Sequence, residues 1–381
     1  MNKIIFNLVI YGVCAGFMFC NPLQGLEWDS CCDCGDPDRF WADVEYICWQ
    51  IKNSPKNVDL VKSGSKVILG GEENKNHWRS GGRFVMGYWL GEECCFGAEA
   101  SYFCLPHESR SRSVHSNGSP GSQTLTIPYF DVTIPGESFT YLSLPGSFSG
   151  TATLKVANQM QGAELNGLIP LSCGCCGLDF IFLAGFRYWN FDEKLKFSTD
   201  SPNIDPPDVF KTNDKFHAEN NFYGGQAGFE LNYVYDCFSF NFKGKVALGA
   251  MCEEASIKGY LVTNDFDGFT DVQKFSGGYF ALPTNIGHHK RTQFSLIPEA
   301  DVTLGYQWSD CFAFHVGYTF LYVSNMLWAT KELDRHINPT QSVAIAFVPD
   351  ATLVGKARPH AQLKSENLWA QGVTAGFTYR F

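Results

Sequence analysis

From Phe222 to Leu248 the chain alternates with a period of two, reverses, and alternates again. Tyr223, Ala227, Phe229, Leu231, Tyr233 and Tyr235 interleave with Gly224, Gln226, Gly228, Glu230 and Asn232, the pattern of a strand whose two faces differ in polarity. Asp236-Cys237 forms a short step, after which Phe238, Phe240, Phe242, Val246 and Leu248 resume one face and Ser239, Asn241, Lys243 and Lys245 the other, which predicts a tight antiparallel hairpin. The alternation recurs over Phe40–Ile51, Phe84–Leu90, Phe96–Tyr102, Asn158–Asn166, Phe180–Tyr188, Ala300–Trp308, Phe312–Tyr322 and Trp369–Phe381. The expected class is all-β, with about ten strands (a range of roughly eight to twelve). In a water-soluble sandwich the apolar face is core; in a membrane barrel it meets lipid, and periodicity alone does not choose.

The connections do choose. Those at Glu92–Cys95, Leu171–Gly177, Asp236-Cys237 and Asp310-Cys311 are short, whereas His107–Lys155, Asp192–Asn221, Cys252–Arg291 and Ser324–Asn367 read as long irregular loops. Short periplasmic turns and long external loops are the habit of an antiparallel up-and-down transmembrane β-barrel. The N-terminus agrees: Lys3 precedes an apolar run from Ile4 to Phe19, and Gly25 closes a polar stretch, as in a secretory signal. No later segment approaches the apolar length of a spanning helix. The expected division is a signal peptide at 1–25, a short Cys-rich periplasmic segment at 26–38 and an outer-membrane barrel at 39–381. Composition fits: 45% hydrophobic residues coexist with a mean hydropathy of −0.13, as alternating strands require. The net charge of −10 argues against nucleic acid.

The chain ends in Phe377, Tyr379 and Phe381 on one strand face, which resembles the C-terminal assembly signal read by the barrel assembly machinery. Several short stretches together resemble one family: Phe40-Trp41-Ala42-Asp43-Val44-Glu45-Tyr46, Ser80-Gly81-Gly82-Arg83, Gln161-Gly162-Ala163-Glu164, Ala184-Gly185-Phe186-Arg187-Tyr188, Tyr223-Gly224-Gly225-Gln226, Leu282-Pro283-Thr284-Asn285-Ile286-Gly287, Asn338-Pro339-Thr340-Gln341 and Trp369-Ala370-Gln371-Gly372. They are similar to the bacterial outer-membrane β-barrel proteins best known from planctomycetes, long catalogued as a domain of unknown function. The resemblance implies location and fold, and no activity. The cysteine content departs from it and looks more like the disulfide-linked envelopes of chlamydia-like bacteria.

Asp43, Glu45, Glu99, Glu164, Asp179, Glu230, Glu299 and Asp301 fall on the inward phase with Arg83, Arg187, Lys243, Lys245 and Arg380. They either line a weakly cation-preferring path or form a paired network that fills the barrel, and the narrow lumen of ten strands favours the second. Of 15 cysteines, thirteen remain after loss of Cys14 and Cys20 with the signal, an odd number in an oxidising compartment. Cys31, Cys32, Cys34, Cys94, Cys95, Cys173, Cys175, Cys176, Cys237 and Cys311 crowd one expected rim as disulfide candidates, within the barrel or to other cysteine-rich envelope proteins. His288-His289 lacks a companion ligand at metal spacing, and His107-Glu108-Ser109 is no more than a scattered polar group. The expectation is therefore a structural envelope protein or narrow porin-like channel, embedded in outer-membrane lipid, not an enzyme, and with no metal or cofactor. A barrel-borne surface hydrolase and an adhesin acting through long loops are the alternatives.

Overall fold

The structure is a computed structural model that describes residues 39–52, 58–71, 77–90, 96–171, 177–205, 207–264 and 271–381. The expected signal peptide, Cys31, Cys32, Cys34, Cys94, Cys95, Cys173, Cys175 and Cys176 lie outside the described residues. Its strands are β1 (Phe40–Ile51), β2 (Asp59–Ser63), β3 (Lys66–Gly70), β4 (His77–Leu90), β5 (Phe96–Ser116), β6 (Leu125–Asp131), β7 (Gly136–Ser143), β8 (Gly150–Pro170), β9 (Leu178–Asp200), β10 (Phe210–Tyr235), β11 (Phe238–Thr263), β12 (Gln273–Ser276), β13 (Gly287–Ser309), β14 (Phe312–Leu327), β15 (His336–Ile337) and β16 (Ser365–Arg380), with, among the described residues, one α-helical turn, α1 (Val343–Ala346), and 3-10 turns at Ala329–Lys331 and Pro339–Gln341. Ten of them, in the order β1-β4-β5-β8-β9-β10-β11-β13-β14-β16, form an antiparallel ring that β16 closes on β1. The last rung pairs Phe40 N–H with Phe381 O and Phe381 N–H with Phe40 O, both at 2.9 Å, and their rings lie 4.7 Å apart. The turns at Asp236-Cys237 and Asp310-Cys311 share this rim with Phe40 and Phe381.

Three expected loops are corrected. His107–Lys155 contains the continuation of β5, the β6–β7 hairpin and the start of β8; Asp192–Asn221 is mostly β9 and β10; Cys252–Arg291 begins with the end of β11, includes β12 and closes with the start of β13; Ser324–Asn367 keeps a long irregular connection. The reason is a phase inversion. Along β10 the outward residues Tyr223, Ala227, Phe229 and Tyr233 are apolar and the inward Gln226 and Glu230 polar, but from Phe222 upward the inward Phe222, Ala218 and Phe216 are buried and apolar while the outward Asn221, Glu219, His217 and Lys215 are polar. The same exchange occurs in β9, between outward Phe186 and Tyr188 below and outward Asp192, Lys194 and Lys196 above. Lipid bathes the lower part and water the upper. A 26-residue strand spans roughly 85 Å, whereas about ten residues suffice for the bilayer.

Above the lipid band the ring becomes a half-tube. The β13–β14 ladder stops at Glu299↔Leu321 and the β4–β5 ladder at Gly82↔Cys104, while β5, β8, β9, β10, β11 and β13 run on together. A proline, Pro298 or Pro106, stands at each break or just beyond it, where its missing N–H cannot continue a ladder. The half-tube's apolar inner face is covered by a second sheet, β15-β6-β2-β3 with β7 on β6, and by the 277–286 and 328–346 segments, which share one buried core with it. Asp214 of β10, fully buried, accepts the backbone N–H of Tyr279 (3.1 Å), Phe280 (3.0 Å) and Ala281 (2.7 Å), and Gly278 sits so close that a Cβ would be 2.5 Å from its carboxylate. Burial pushes the Asp214 carboxyl up to about 6, outweighing the three amides that pull it down.

Two expectations follow from these anchors. Deleting Phe381 removes two backbone hydrogen bonds from the closing rung, a loss of about 2 kcal/mol, and should lower the heat-modifiable, membrane-inserted fraction without lowering export; normal insertion would show that the closing rung is dispensable. Asp214 has a folded pKa above its free value of 3.8, so its contribution to stability is complete below that value and is lost as pH rises through about 6. Amide-exchange protection at 279–281 should therefore fall by roughly tenfold or more between pH 4 and 7, and Asp214→Asn should flatten the profile.

Candidate functional site in the barrel interior

The interior is stratified. Within the lipid band, charged residues stand opposite each other across neighbouring strands: Glu45↔Arg83, Glu164↔Arg187, Glu230↔Lys243, Lys243↔Asp301 and Lys245↔Glu299. Directly opposed side chains of one sheet face are close enough to pair, and across a narrow lumen the pairs merge. Arg187, wholly buried, contacts Glu299 and lies 3.6 Å from Glu164; Lys245 lies 2.9 Å from Glu164 and 3.2 Å from Glu299. Arg83 joins Glu45 (2.6 Å), Asp301 (3.2 Å) and Glu299 (3.7 Å), and Lys243 bridges Glu230 (2.9 Å) and Glu99 (3.1 Å). Gln226 and Asn166 donate to Glu164 and Thr319 donates to Asp301 Oδ1, while Asp301 Oδ2 has no hydrogen-bond partner among the described residues. His315 adds a contact to Glu45 at 3.3 Å. An uncompensated charge here costs several kcal/mol, so removing one partner strands the others.

Of the thirteen expected lumen charges, ten enter this network. Asp43 lies beside it with one carboxylate oxygen unpaired among the described residues, whereas Asp179 and Arg380 sit toward the rim with no ion pair among those residues.

Above the charges lies an apolar layer in which Trp189 stacks on Phe191, Trp328 meets Phe191 edge-on at 5.3 Å, and Trp49 packs on Phe103. Trp328 follows β14, so this layer includes chain that leaves the wall. It is pinned to the opposite side: Asn220 of β10 donates to Leu327 O (2.9 Å) and accepts from Leu327 N–H (2.7 Å), and Glu193 of β9 accepts from Ala329 N–H (2.9 Å). Sequence reasoning missed Asn220, Glu193 and Asp214. Their signal is a buried polar residue on an otherwise apolar inward phase, visible only once the phase inversion is known. In the cap, burial also raises the Glu332 carboxyl against the pull of backbone donors, one of them Gln362 N–H at 2.9 Å.

On the outer wall Asp192, His217 and Glu219 converge, with His217 Nε2 2.6 Å from Asp192. Lys194, 3.1 Å from the same Asp192, already supplies a cation. His288, expected to lack a carboxylate neighbour, lies 3.0 Å from Glu254, which also pairs with Lys290. The Glu108 carboxylate of the His107-Glu108-Ser109 group is held by Arg79 and Arg110, each at 2.7 Å. Cys237, in the β10–β11 turn, carries a free thiol, and Cys311 occupies the β13–β14 turn on the same rim.

Residues 51–381 match the family described as "Putative beta barrel porin-7 (BBP7)". No curated protein matches the sequence. Among solved structures, the outer membrane protease OmpT from Escherichia coli is similar at 12% identity and a TM-score of 0.44, covering 91% of this chain and 97% of its own. The Ralstonia pickettii toluene transporter TbuX matches at 9% identity (TM-score 0.15, 90% and 89% covered) and the Pseudomonas putida toluene transporter TodX at 8% (TM-score 0.15, 90% and 89% covered). The expectation that the chain is not an enzyme is corrected here: a protease stands among the matched barrels, so that expectation is withdrawn. The matched span takes in every strand from β2 to β16, and the chain belongs to the BBP7 family of porin-like β-barrels of the bacterial outer membrane.

Proposed function

We propose that this protein is a plugged barrel, a structural envelope element that carries a folded cap above the membrane, with its axial path closed. The observation that carries this reading is the succession of fillings along one lumen: the Arg187-centred charge network, the tryptophan layer crossed by residues 327–329, and the cap core above them. A water-filled pore needs a continuous polar lining, and the apolar middle layer interrupts it. The structural alternative to a channel is thereby favoured over the channel. Outer-membrane lipid and the barrel assembly machinery are its expected partners.

The short-turn rim supports a second element of the proposal, covalent attachment to neighbouring cysteine-rich envelope proteins. Cys237 and Cys311 lie on that rim, and the sequence adds Cys94, Cys95, Cys173, Cys175 and Cys176 to the turns joining the strands that end there. Adjacent cysteines such as Cys94-Cys95 and Cys175-Cys176 pair poorly with each other because disulfide geometry needs separated Cα atoms.

Two measurements test these readings. Protein whose insertion is verified by heat-modifiable migration should give no reproducible conductance steps in planar bilayers; steps at any voltage would overturn the closed axis. Membranes quenched with a thiol-alkylating reagent should give reducible high-mass ladders on non-reducing electrophoresis, whereas a band at monomer size alone would remove the cross-linking element.

A further inference from the structure

The wall is weakest where the ring turns into the half-tube. Pro298 offers no N–H, and above Glu299↔Leu321 no backbone pair joins β13 to β14 among the described residues. At this edge of the lipid band side chains, in place of a ladder, supply partners to the backbone groups. Ser324 Oγ accepts from Leu296 N–H (2.9 Å), Ser295 Oγ donates to Ser324 O, Asn325 Nδ2 donates to Phe294 O (3.1 Å) and Gln293 Nε2 donates to Asn325 O (3.2 Å). Asn325 takes a left-handed conformation (φ 50°), and the β14–β16 register shifts between Val323 and Met326. A ladder bond opens only when strands separate; these bonds open when side chains rotate.

The seam lies at the upper edge of the lipid band, where Phe294 is 62% exposed on the outside. Below it a lipid-facing groove of about 650 Å³ rises to Pro298, floored by Ala227, Gly228 and Gly244 and walled by Phe229, Phe242 and Phe320. Small residues among large aromatic ones leave a trough, and in a bilayer an acyl chain fills it. Directly behind the seam, Ile297, Leu321, Val323 and Met326 belong to the apolar layer, together with Met251 and Met160. Unbranched methionines let such a layer repack around a guest. The layer also holds three indole N–H donors, of Trp49, Trp189 and Trp328, that are buried and lack an acceptor among the described residues. An unpaired buried donor is costly, and an oxygen-bearing head group would satisfy it.

We infer that the apolar layer is a binding site for a single acyl chain with an oxygen-acceptor head, of the fatty-acid class, which enters sideways from the outer leaflet between β13 and β14. The inference takes the axial path as closed, as proposed above. The ligand chemistry is shared by a free fatty acid and by one chain of a bilayer phospholipid.

Full-length protein in nanodiscs, photolysed with a diazirine-bearing palmitate or a phospholipid carrying the same chain, separates the possibilities when adducts are mapped by mass spectrometry. Groove residues such as Phe229 and Phe320 should be labelled by both probes and serve as an internal reference. Adducts on Met326, Met251 or Trp328 with palmitate alone would establish a single-chain ligand; the same adducts with both probes would establish lateral entry of a bilayer chain. Pro298→Val restores an N–H to the seam and should lower lumen labelling about fivefold relative to the groove, as one hydrogen bond of about 1 kcal/mol dictates. Ser324→Ala removes the acceptor of Leu296 N–H and should raise it, which keeps the test decisive even if Pro298→Val folds poorly. Labelling confined to the groove, or lumen labelling that neither variant moves, would overturn the inference. A water-soluble diazirine that reached the same lumen residues, unaffected by Pro298→Val, would instead mark failure of the closed axis.

Discussion

A backbone amide inside a bilayer has no water to bond, so a strand that enters hydrocarbon must find a neighbour on both sides. Everything in this molecule bends to that constraint. Ten strands close because an open edge would leave a column of unpaired groups, and the Phe40–Phe381 rung is the place where the first and last barrel strands meet the requirement together. Where the lipid ends, the constraint lapses, and so does the ring. The ladders between β4 and β5 and between β13 and β14 stop near Pro106 and Pro298, residues that a continuous barrel wall would not accept. Closure holds as far as hydrocarbon demands it.

The same boundary explains what was legible in the sequence and what was not. The ten barrel strands and their turns could be read because, in lipid, outward apolar and inward polar residues alternate over stretches such as Tyr223–Glu230 and Leu231–Tyr233. In water the rule reverses by one residue. His217, Glu219 and Asn221 then face out while Phe216, Ala218 and Phe222 face in, and a reader who follows one phase meets an apparent end to the strand. That is how most of β9, β10, β11 and β13 above the membrane came to look like loop. The small sheet of β2, β3, β6, β7 and β15 was hidden for another reason: its strands are short, and their burial depends on a half-tube wall remote in sequence.

The interior charges were legible in kind and not in arrangement. Alternation places Glu164, Arg187, Lys245 and Glu299 on one phase, but only register sets Arg187 opposite Glu164 and Lys245 opposite Glu299, so that the two pairs fuse into one cluster. Glu45, Glu99, Glu164, Glu230, Glu299 and Asp301 outnumber Arg83, Arg187, Lys243 and Lys245. The excess acid is tolerable because neutral donors, Gln226 on Glu164 and Thr319 on Asp301, share the load. Swapping such a cluster for hydrocarbon need not destabilise a fold, whereas halving it does. Its persistence in this lumen therefore speaks for register: each charged rung is paired in one alignment of the strands, and a one-residue slip would turn every charge toward lipid.

The cap and the wall are consequences of each other. A half-tube with an apolar inner face cannot stand in water, and loops rich in apolar residues cannot fold without a surface to cover, so neither has a stable form alone. Three inward polar residues decide how they meet. Asp214 binds the 279–281 amides, Asn220 substitutes for a backbone partner of Leu327, and Glu193 receives Ala329 N–H. Each trades the cost of a buried polar group for a position, since satisfied buried hydrogen bonds specify a single arrangement where apolar contacts admit several. The Asn220 and Glu193 contacts carry residues 327–329 across the lumen, directly above the seam at Pro298. Whatever loosens β14 from β13 therefore also moves Trp328 in the apolar layer, which ties the state of the wall to the state of the plug.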